Sequence, residues 1–220
     1  MSTAARMSLW MRLSVCAPLA ASLLLGGSCR RDRDRDAGLA MLDPVRDKLL
    51  KPEELVARLA LAPGQVVADL GAGPGYLTLG LARAVGASGR VVATDINAAA
   101  LAVLRRRAAS AGLANVEARL VSASDPGLEP DSIDVALLCH VDSFLADRAA
   151  WLERLKPALR RGGRLVVIGY LPGKTPLMAD AERAGLRLVE EDDHFLPAQF
   201  WLVFSRKLDD EMHRRLQGAK

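Results

Sequence analysis

The sequence contains few of the residues that bind metals or form disulfides. Its 220 residues include three cysteines and three histidines. Cys16 and Cys29 lie in or at the end of an apolar N-terminal stretch, which leaves Cys139 without a partner for a disulfide framework. The histidines are scattered without the spacing of a metal site, so no metal is expected. They are His140, His194 and His213.

An excess of charge of one sign is also lacking. The chain has 30 lysines and arginines against 26 acidic residues, a formal net charge of +4. Setting aside Arg6 and Arg12, which belong to the N-terminal segment, leaves 28 basic against 26 acidic residues, or about +2. This balance predicts no nucleic-acid partner, and the run Arg105–Arg107 is expected to be a solvated helix face.

The N-terminal segment differs from the rest of the chain. Arg6 and Arg12 precede seventeen uncharged residues, Leu13–Cys29, which end in Gly-Gly-Ser-Cys. This segment resembles a bacterial lipoprotein signal with Cys29 as the lipidated residue, although Gly26 stands where such signals usually have leucine. We therefore expect residues 1–28 to be a signal or membrane anchor and residues 29–38 to be a charged linker.

Two alternatives for this segment stay open. Arginines follow the apolar stretch as well as precede it, which favours a cytoplasmic domain on an uncleaved anchor. Translation from Met41 would instead give a cytoplasmic protein. We favour a membrane-associated lipoprotein, with a cytoplasmic location as the alternative.

A glycine-rich turn between a strand and a helix is the most informative feature of the sequence. The apolar run Val66–Leu70 is typical of a strand in a doubly covered parallel sheet. Glycines at three alternate positions then leave the backbone open to a ligand, and Tyr76–Val85 has helical spacing before it stops at Gly86. The three glycines are Gly71, Gly73 and Gly75.

Two aspartates indicate the kind of ligand. Asp95 ends a second apolar strand, twenty residues after Gly75, near the separation at which an acid binds ribose hydroxyls. Asp69 precedes the first glycine, where its charge disfavours a phosphate and favours a cation. The glycines read G-A-G-P-G rather than G-x-G-x-x-G, and no Gly-Lys-Ser/Thr follows, so neither a dinucleotide site nor a Walker-type loop is favoured. A tight turn with capping aspartates is the structural alternative.

These residues resemble the class I S-adenosylmethionine-dependent methyltransferases. The likeness includes D-L-G-A-G-P-G with Asp95 downstream, DSIDVALLCHV at 131–141 as a fourth strand, and the helix, turn and strand of residues 147–170. It covers about Leu42 to Ser205 and is strongest with the small-molecule branch that includes quinone-biosynthesis enzymes. The resemblance implies S-adenosylmethionine as cofactor.

The order of elements predicts the fold. Strands and helices alternate from Gln65 to about Tyr170, which indicates an α/β, doubly wound, mostly parallel sheet with helices on both faces. LRLVEEDD and QFWLVFS are joined by a short connection and predict an antiparallel hairpin at the end of the sheet. The resemblance implies a Rossmann-like sheet of seven strands with the last antiparallel. We expect the methyltransferase domain to span 39–206 and a charged tail to span 207–220.

Candidate site residues follow from the resemblance and from the rule that ligands bind at the carboxyl edge of an open parallel sheet. Asp95 is expected to hold the ribose, and Ser124 and Asp125 lie in the region that contacts adenine in similar proteins. His140 follows the fourth strand at the ligand-bearing edge and is the candidate general base, with Tyr170 next. The cofactor-binding candidates are Asp69, Gly71, Ala72, Gly73, Gly75, Tyr76, Asp95, Ile96, Ser124, Asp125 and Cys139.

The predicted function is methyl transfer from S-adenosylmethionine to a small-molecule or lipid-like acceptor. The segments available to cover the site, residues 41–61 and 170–176, are short, which favours such an acceptor over a folded protein. One alternative is a non-catalytic S-adenosylmethionine-binding module anchored at the membrane. A less favoured alternative is an NAD(P)-dependent oxidoreductase, because the glycine spacing and Asp69 differ from that class.

Overall fold

The computed structural model of the protein describes residues 50–206. The predictions for the lipoprotein-like segment, for the charged linker and for the tail fall outside these residues, as does the start of the predicted domain. Within the described part, the chain forms one sheet of seven strands in the order β3-β2-β1-β4-β5-β7-β6. The strands are β1 Val66–Leu70, β2 Arg90–Asp95, β3 Val116–Leu120, β4 Ile133–Cys139, β5 Leu159–Tyr170, β6 Leu186–Asp192 and β7 Gln199–Arg206.

The strand directions confirm the predicted fold class. The pairs β1–β2, β1–β4, β2–β3 and β4–β5 are parallel, whereas β7 runs antiparallel to both β5 and β6. The predicted terminal hairpin is therefore β6–β7, and β7 inserts between β5 and β6. The central strands are apolar because both of their faces are covered, and the edge strand β3 is only partly buried.

Five helices pack on the two faces of the sheet in the described residues. One face packs against α4 and α5, with Leu152 and Leu177 in its core. The opposite face packs against α1 and α2, with Leu55 and Leu81 in its core. The helices are α1 Pro52–Arg58, α2 Thr78–Val85, α3 Ala98–Ser110, α4 Arg148–Leu155 and α5 Lys174–Arg183.

The start of β5 is irregular. Its register against β4 jumps from Ile133 opposite Leu159 to Val135 opposite Arg164. Gly162 in the intervening residues has φ +76°. A Cβ on Gly163 would lie 2.9 Å from the carbonyl oxygens of Ile133 and Arg160, which no side chain can tolerate. The Gly-Gly pair thus forms a bulge within the strand.

The topology places the candidate site. From β1 the chain builds outward through β2 and β3, and then crosses to β4 on the other side of β1. In open parallel sheets, ligands bind at the carboxyl edge where the strand order reverses in this way. The glycine turn after β1, Asp95 at the end of β2 and His140 after β4 all lie at that edge.

Candidate functional site

The glycine turn is held against the neighbouring strand by its own backbone. The amides of Gly71 and Ala72 donate to the Thr94 carbonyl at 2.8 and 3.0 Å. The amide of Gly75 donates to the Ala72 carbonyl at 2.9 Å. These bonds fix the loop before any ligand arrives.

The three glycines of the turn have different reasons to be glycine. All three have positive φ, which side-chain-bearing residues rarely adopt. A Cβ on Gly71 would come within 2.4 Å of Val141, and one on Gly75 within 2.3 Å of Leu104. A Cβ on Gly73 would meet no atom within 4 Å. Gly73 is therefore the glycine whose backbone faces open space, where a ligand can approach.

Asp95 bridges the two loops at the site. Its Oδ2 accepts a hydrogen bond from the Gly73 amide at 2.7 Å, and its Oδ1 accepts one from the Asn97 amide at 2.7 Å. The side chain of Asn97 in turn caps α3 by accepting from the amides of Ala99 and Ala100. Each carboxylate oxygen has two lone pairs, so a partly buried Asp95 retains acceptor capacity for ribose hydroxyls.

Asp69 is buried beneath the glycine turn. Only 4% of its surface is exposed, and its Oδ2 accepts a hydrogen bond from the Thr78 hydroxyl at 2.6 Å. The pKa of Asp69 is raised from 3.8 to about 6, mainly because burial disfavours the carboxylate. The Thr78 hydrogen bond opposes this rise, and the nearby charge of Asp95 adds to it. The structure therefore places this acid under the turn with Thr78 as its described partner, and its contact with a cationic ligand remains a prediction.

Arg107 is a residue of the site that sequence reasoning missed. Its guanidinium donates to the carbonyls of Pro74 at 2.8 Å and Gly75 at 3.2 Å, which ties α3 to the glycine turn. Burial lowers its pKa. The expectation of a solvated face for the whole run was wrong at this position, because Arg107 is partly buried whereas Arg105 and Arg106 are exposed.

The end of β3 presents an apolar surface next to Asp95. Leu120 lies opposite Asp95 in the parallel ladder and, like Ile96, has an exposed side chain. Two exposed apolar residues beside a ribose-binding candidate suit the face of a purine ring. Leu120 was not predicted, although an apolar residue at the carboxyl end of a strand was the available signal.

Ser124 and Asp125 lie beyond β3 and are exposed. Asp125 accepts a hydrogen bond from the amide of Gly127 at 2.8 Å and so closes its own turn. The carbonyl of Ser124 accepts from Arg154 at 2.8 Å. The described contacts of this pair thus run to their own loop and to α4, and a contact with adenine remains a prediction.

Cys139 and His140 follow β4 at the same edge. Cys139 is partly buried against the core under α1 and α2, as is Tyr76. His140 has φ +58°, its amide donates to the Ile168 carbonyl at 2.8 Å, and its ring stacks on Tyr170 with centroids 4.6 Å apart. Its Nε2 lies 2.6 Å from Oε1 of Gln199, a buried residue that the sequence did not suggest.

The structure brings most of the predicted residues to one place. The charge of Asp95 acts on Asp69, the Asp95 carboxylate holds Gly73, and Val141, next to His140, packs over Gly71. This edge of the sheet carries open backbone at Gly73, the partly buried carboxylate of Asp95 and exposed apolar side chains, and Asp69 is buried beneath the turn. Two negative charges close to the turn favour a nucleoside that carries positive charge over a pyrophosphate, which the carboxylates would repel.

The chain is similar to a methyltransferase family model and to solved methyltransferase structures. Residues 67–163 match a family model described as a methyltransferase domain. A solved SAM-dependent methyltransferase from Aquifex aeolicus is 21% identical with a TM-score of 0.70, over 78% of this chain and 97% of that chain. A TehB-like SAM-dependent methyltransferase from Corynebacterium glutamicum is 18% identical with a TM-score of 0.57, over 71% and 88%.

A SAM-dependent O-methyltransferase from Thermotoga maritima is also similar, at 18% identity and a TM-score of 0.57, over 71% of this chain and 64% of that chain. At these identities the structural likeness establishes a shared fold. The comparison with curated proteins gives no match. Together, the domain match and the fold imply S-adenosylmethionine as the cofactor.

Within residues 50–206, no group of three or more histidines, cysteines and acidic residues is arranged to hold a metal ion. No helix in the same range combines the length and apolar character needed to cross a bilayer.

Proposed function

We propose that the protein transfers a methyl group from S-adenosylmethionine to a small-molecule or lipid-like acceptor. The observation that carries this proposal is the continuity of one sheet edge. There the glycine turn and Asp95, which suit the cofactor, adjoin His140 and Tyr170, which suit an acceptor. The packing of Val141 over Gly71 joins these two parts of the site.

The chain's own residues would hold the cofactor in three ways. Asp95, already oriented by two backbone amides, accepts hydrogen bonds from the ribose hydroxyls. The open backbone at Gly73 lets the ligand approach closely. The negative charge of Asp69 favours the cationic amino-acid end. When bound, S-adenosylmethionine supplies a methyl group activated by a sulfonium.

The surface beside His140 supports an apolar acceptor. Phe144 is 81% exposed after β4, and Tyr170 and Leu171 are 60% and 40% exposed after β5. Large apolar side chains left exposed together at a ligand-bearing edge suit binding of an apolar molecule. The protein's task is then to hold the acceptor in line and to exclude water. This surface also supports the resemblance to the quinone-biosynthesis branch.

Cofactor binding is tested by calorimetry on the purified chain. We expect S-adenosylmethionine and S-adenosylhomocysteine to bind and NAD to give no heat. We expect Asp95→Asn to weaken binding. Asp131→Asn is the control and should leave binding unchanged, because Asp131 is exposed and precedes β4, at the end of the strand away from the site. Binding of NAD without binding of S-adenosylmethionine would favour the oxidoreductase alternative and end the proposal.

Turnover is tested separately by measuring S-adenosylhomocysteine formation with a panel of phenols, hydroquinones and lipid-like alcohols. We expect methyl transfer to at least one apolar hydroxyl acceptor. Tight cofactor binding with no product across the panel would instead support the non-catalytic binding module.

We also propose membrane association through the N-terminal segment, with a cytoplasmic protein as the alternative. The support is the sequence of residues 1–38, and the apolar edge around Phe144 is compatible with an acceptor taken from a membrane. Mass spectrometry of the native N-terminus decides the matter. A diacylglycerol on Cys29 supports the lipoprotein, and an unmodified chain starting at Met41 refutes it.

A further inference from the structure

Gln199 is a buried polar residue with a specific orientation. It begins β7, is 2% exposed, and its Oε1 lies 2.6 Å from Nε2 of His140. Its Nε2 lies 3.4 Å from the carbonyl of Pro197. Because a carbonyl only accepts hydrogen bonds, the amide nitrogen faces Pro197 and the amide oxygen faces the imidazole. This orientation makes His140 the donor.

The donor role fixes the tautomer of the neutral imidazole. A neutral histidine carries one N–H, and the hydrogen bond to Gln199 places it on Nε2. The basic lone pair therefore lies on Nδ1. At many histidine sites, the hydrogen bond made by one ring nitrogen determines whether the other nitrogen can take up a proton.

Three other features hold the ring in place. His140 adopts φ +58°, a left-handed conformation that residues with a side chain rarely adopt. Its ring is nearly parallel to that of Tyr170, with an angle of 10° between them. Its amide is tied to β5 through Ile168. A strained backbone that is over-determined by its surroundings is typical of functional positions.

We propose that Gln199 is a positioning residue that sets the tautomer and orientation of His140, so that His140 takes the proton of an acceptor hydroxyl. This inference rests on the proposed methyltransferase function. In the balanced step, an oxygen electron pair forms the new bond to the methyl carbon, and the methyl–sulfur bond breaks with its pair going to sulfur. The hydroxyl proton goes to Nδ1 of His140 and then to water. The acceptor class is accordingly an apolar molecule with a dissociable O–H.

Among residues 50–206, charged and titratable groups from several elements lie near His140. Asp142, in the turn after β4, is buried, and its negative charge interacts with His140. Arg148 of α4 lies 3.8 Å from Asp142 and also pairs with Asp180 of α5. Tyr170 of β5 stacks on the ring. Asp142 favours the imidazolium, and Arg148 moderates that effect.

The first test is the tautomer itself, measured by long-range ¹H–¹⁵N correlation NMR of the full chain without cofactor. His140 is assigned by the signal that disappears in His140→Gln. We expect protonation at Nε2 in the wild type and a mixture of tautomers in Gln199→Leu. His194→Gln is the matched control, because His194 is exposed, and it should leave the His140 signals unchanged. An Nδ1–H form in the wild type, or an unchanged tautomer in Gln199→Leu, would overturn the proposal.

The second test is the pH profile of methyl transfer. Gln199→Leu should lower kcat at least about tenfold, with an unchanged affinity for S-adenosylmethionine by calorimetry. Gln199→Glu places a carboxylate beside Nε2, raises the pKa of His140 and should move the acidic limb of the profile to higher pH. An acidic limb that does not move in Gln199→Glu would refute the proton role. A Gln199-dependent tautomer in a protein that transfers no methyl group would support the positioning and reject the proposed function.

Discussion

Replacing Asp69 with asparagine should stabilise the fold at neutral pH and weaken cofactor binding. Asp69 is buried under the glycine turn, and its pKa is raised from 3.8 to about 6 because burial disfavours the carboxylate. Asparagine has nearly the same shape and keeps an oxygen for the Thr78 hydroxyl, which now donates to Asp69 at 2.6 Å. The substitution thus removes a buried charge with little change in packing.

The size and sign of the effect follow from the raised pKa. Between pH 3.8 and about 6 the folded state binds more protons than the unfolded state, so stability falls as pH rises through this window. Above pH 6 the difference of about two pKa units corresponds to about 3 kcal/mol. Asp69→Asn lacks this titration, so it should be more stable than the wild type by up to about 3 kcal/mol at pH 7.5 and equal to it near pH 4.

The measurement is urea unfolding of both proteins at a series of pH values from 4 to 8. Asp131→Asn is the control, because the Asp131 side chain is exposed and should give the wild-type curve throughout. In parallel, calorimetry in buffers of different ionisation enthalpy should show proton release when S-adenosylmethionine binds to the wild type near pH 6. This release should be lost in Asp69→Asn, because a cationic ligand favours the ionised carboxylate.

Two results would refute this reasoning. If Asp69→Asn is no more stable than the wild type at pH 7.5 and shows the same pH dependence, the charge of Asp69 is not the destabilising group. If the variant binds S-adenosylmethionine as tightly as the wild type, the acid has no part in the cofactor site. Gain of stability together with loss of affinity is the outcome expected of a charge kept for function.

The remaining predictions concern Asp95, the glycines of the turn and the contacts of Arg58 in α1. Asp95→Ala should weaken the binding of S-adenosylmethionine, measured by calorimetry, by about 1 to 3 kcal/mol, and its circular dichroism spectrum should match the wild type. Unaltered affinity would contradict the assignment of Asp95 to the ribose. Gly71→Ala should lower the free energy of unfolding more than Gly73→Ala, because only the former places a Cβ within 2.4 Å of Val141; equal urea midpoints would contradict this account. Arg58→Met removes ion pairs to Asp192 at 2.6 Å and Glu190 at 2.8 Å, together with contacts to two aromatic rings. The free energy of unfolding measured in urea should fall by about 1 to 2 kcal/mol, and the loss should be smaller at high salt.

The order and type of most elements could be predicted from the sequence because they depend on local pattern. The apolar run Val66–Leu70 is the observed β1, and Gly86, with φ +67°, ends α2 at the predicted position. The short connection between LRLVEEDD and QFWLVFS predicted the terminal hairpin, which is observed as β6–β7. Hydrophobic period and turn chemistry act over a few residues and can be recognised without the rest of the fold.

The position of Arg107 shows what local pattern does not contain. In the sequence it is the last of three consecutive arginines, and nothing distinguishes it from Arg105 or Arg106. The helical twist turns it toward the glycine turn, where it meets the carbonyls of Pro74 and Gly75. That encounter depends on how α3 packs on the sheet, which is a tertiary property. Gln199 was missed for the same reason, since its partner His140 is 59 residues away.

The glycines show that a correct motif can have more than one physical cause. From the sequence, all three were interpreted as leaving room for a ligand. The structure gives that reason to Gly73, whereas Gly71 and Gly75 leave room for Val141 and Leu104 of the protein itself. Two of the glycines are therefore explained by packing of α3 and of the loop after β4 against the turn, and one by access of a ligand to the backbone. Sequence alone does not separate these causes, because each requires the same missing side chain.

The hydrogen bond between Asp95 and Gly73 connects the two halves of the motif. A carboxylate held by two backbone amides loses little freedom when a ligand binds, so more of its interaction energy is available as affinity. The same bond holds the open glycine next to the acid that is predicted to bind the ribose. Asp95 is close enough to the buried Asp69 for their charges to interact. A charge that enters the site therefore interacts with both carboxylates. A cationic ligand that relieves their repulsion therefore gains from both acids, whereas a neutral analogue of the same shape keeps the hydrogen bonds and loses that gain.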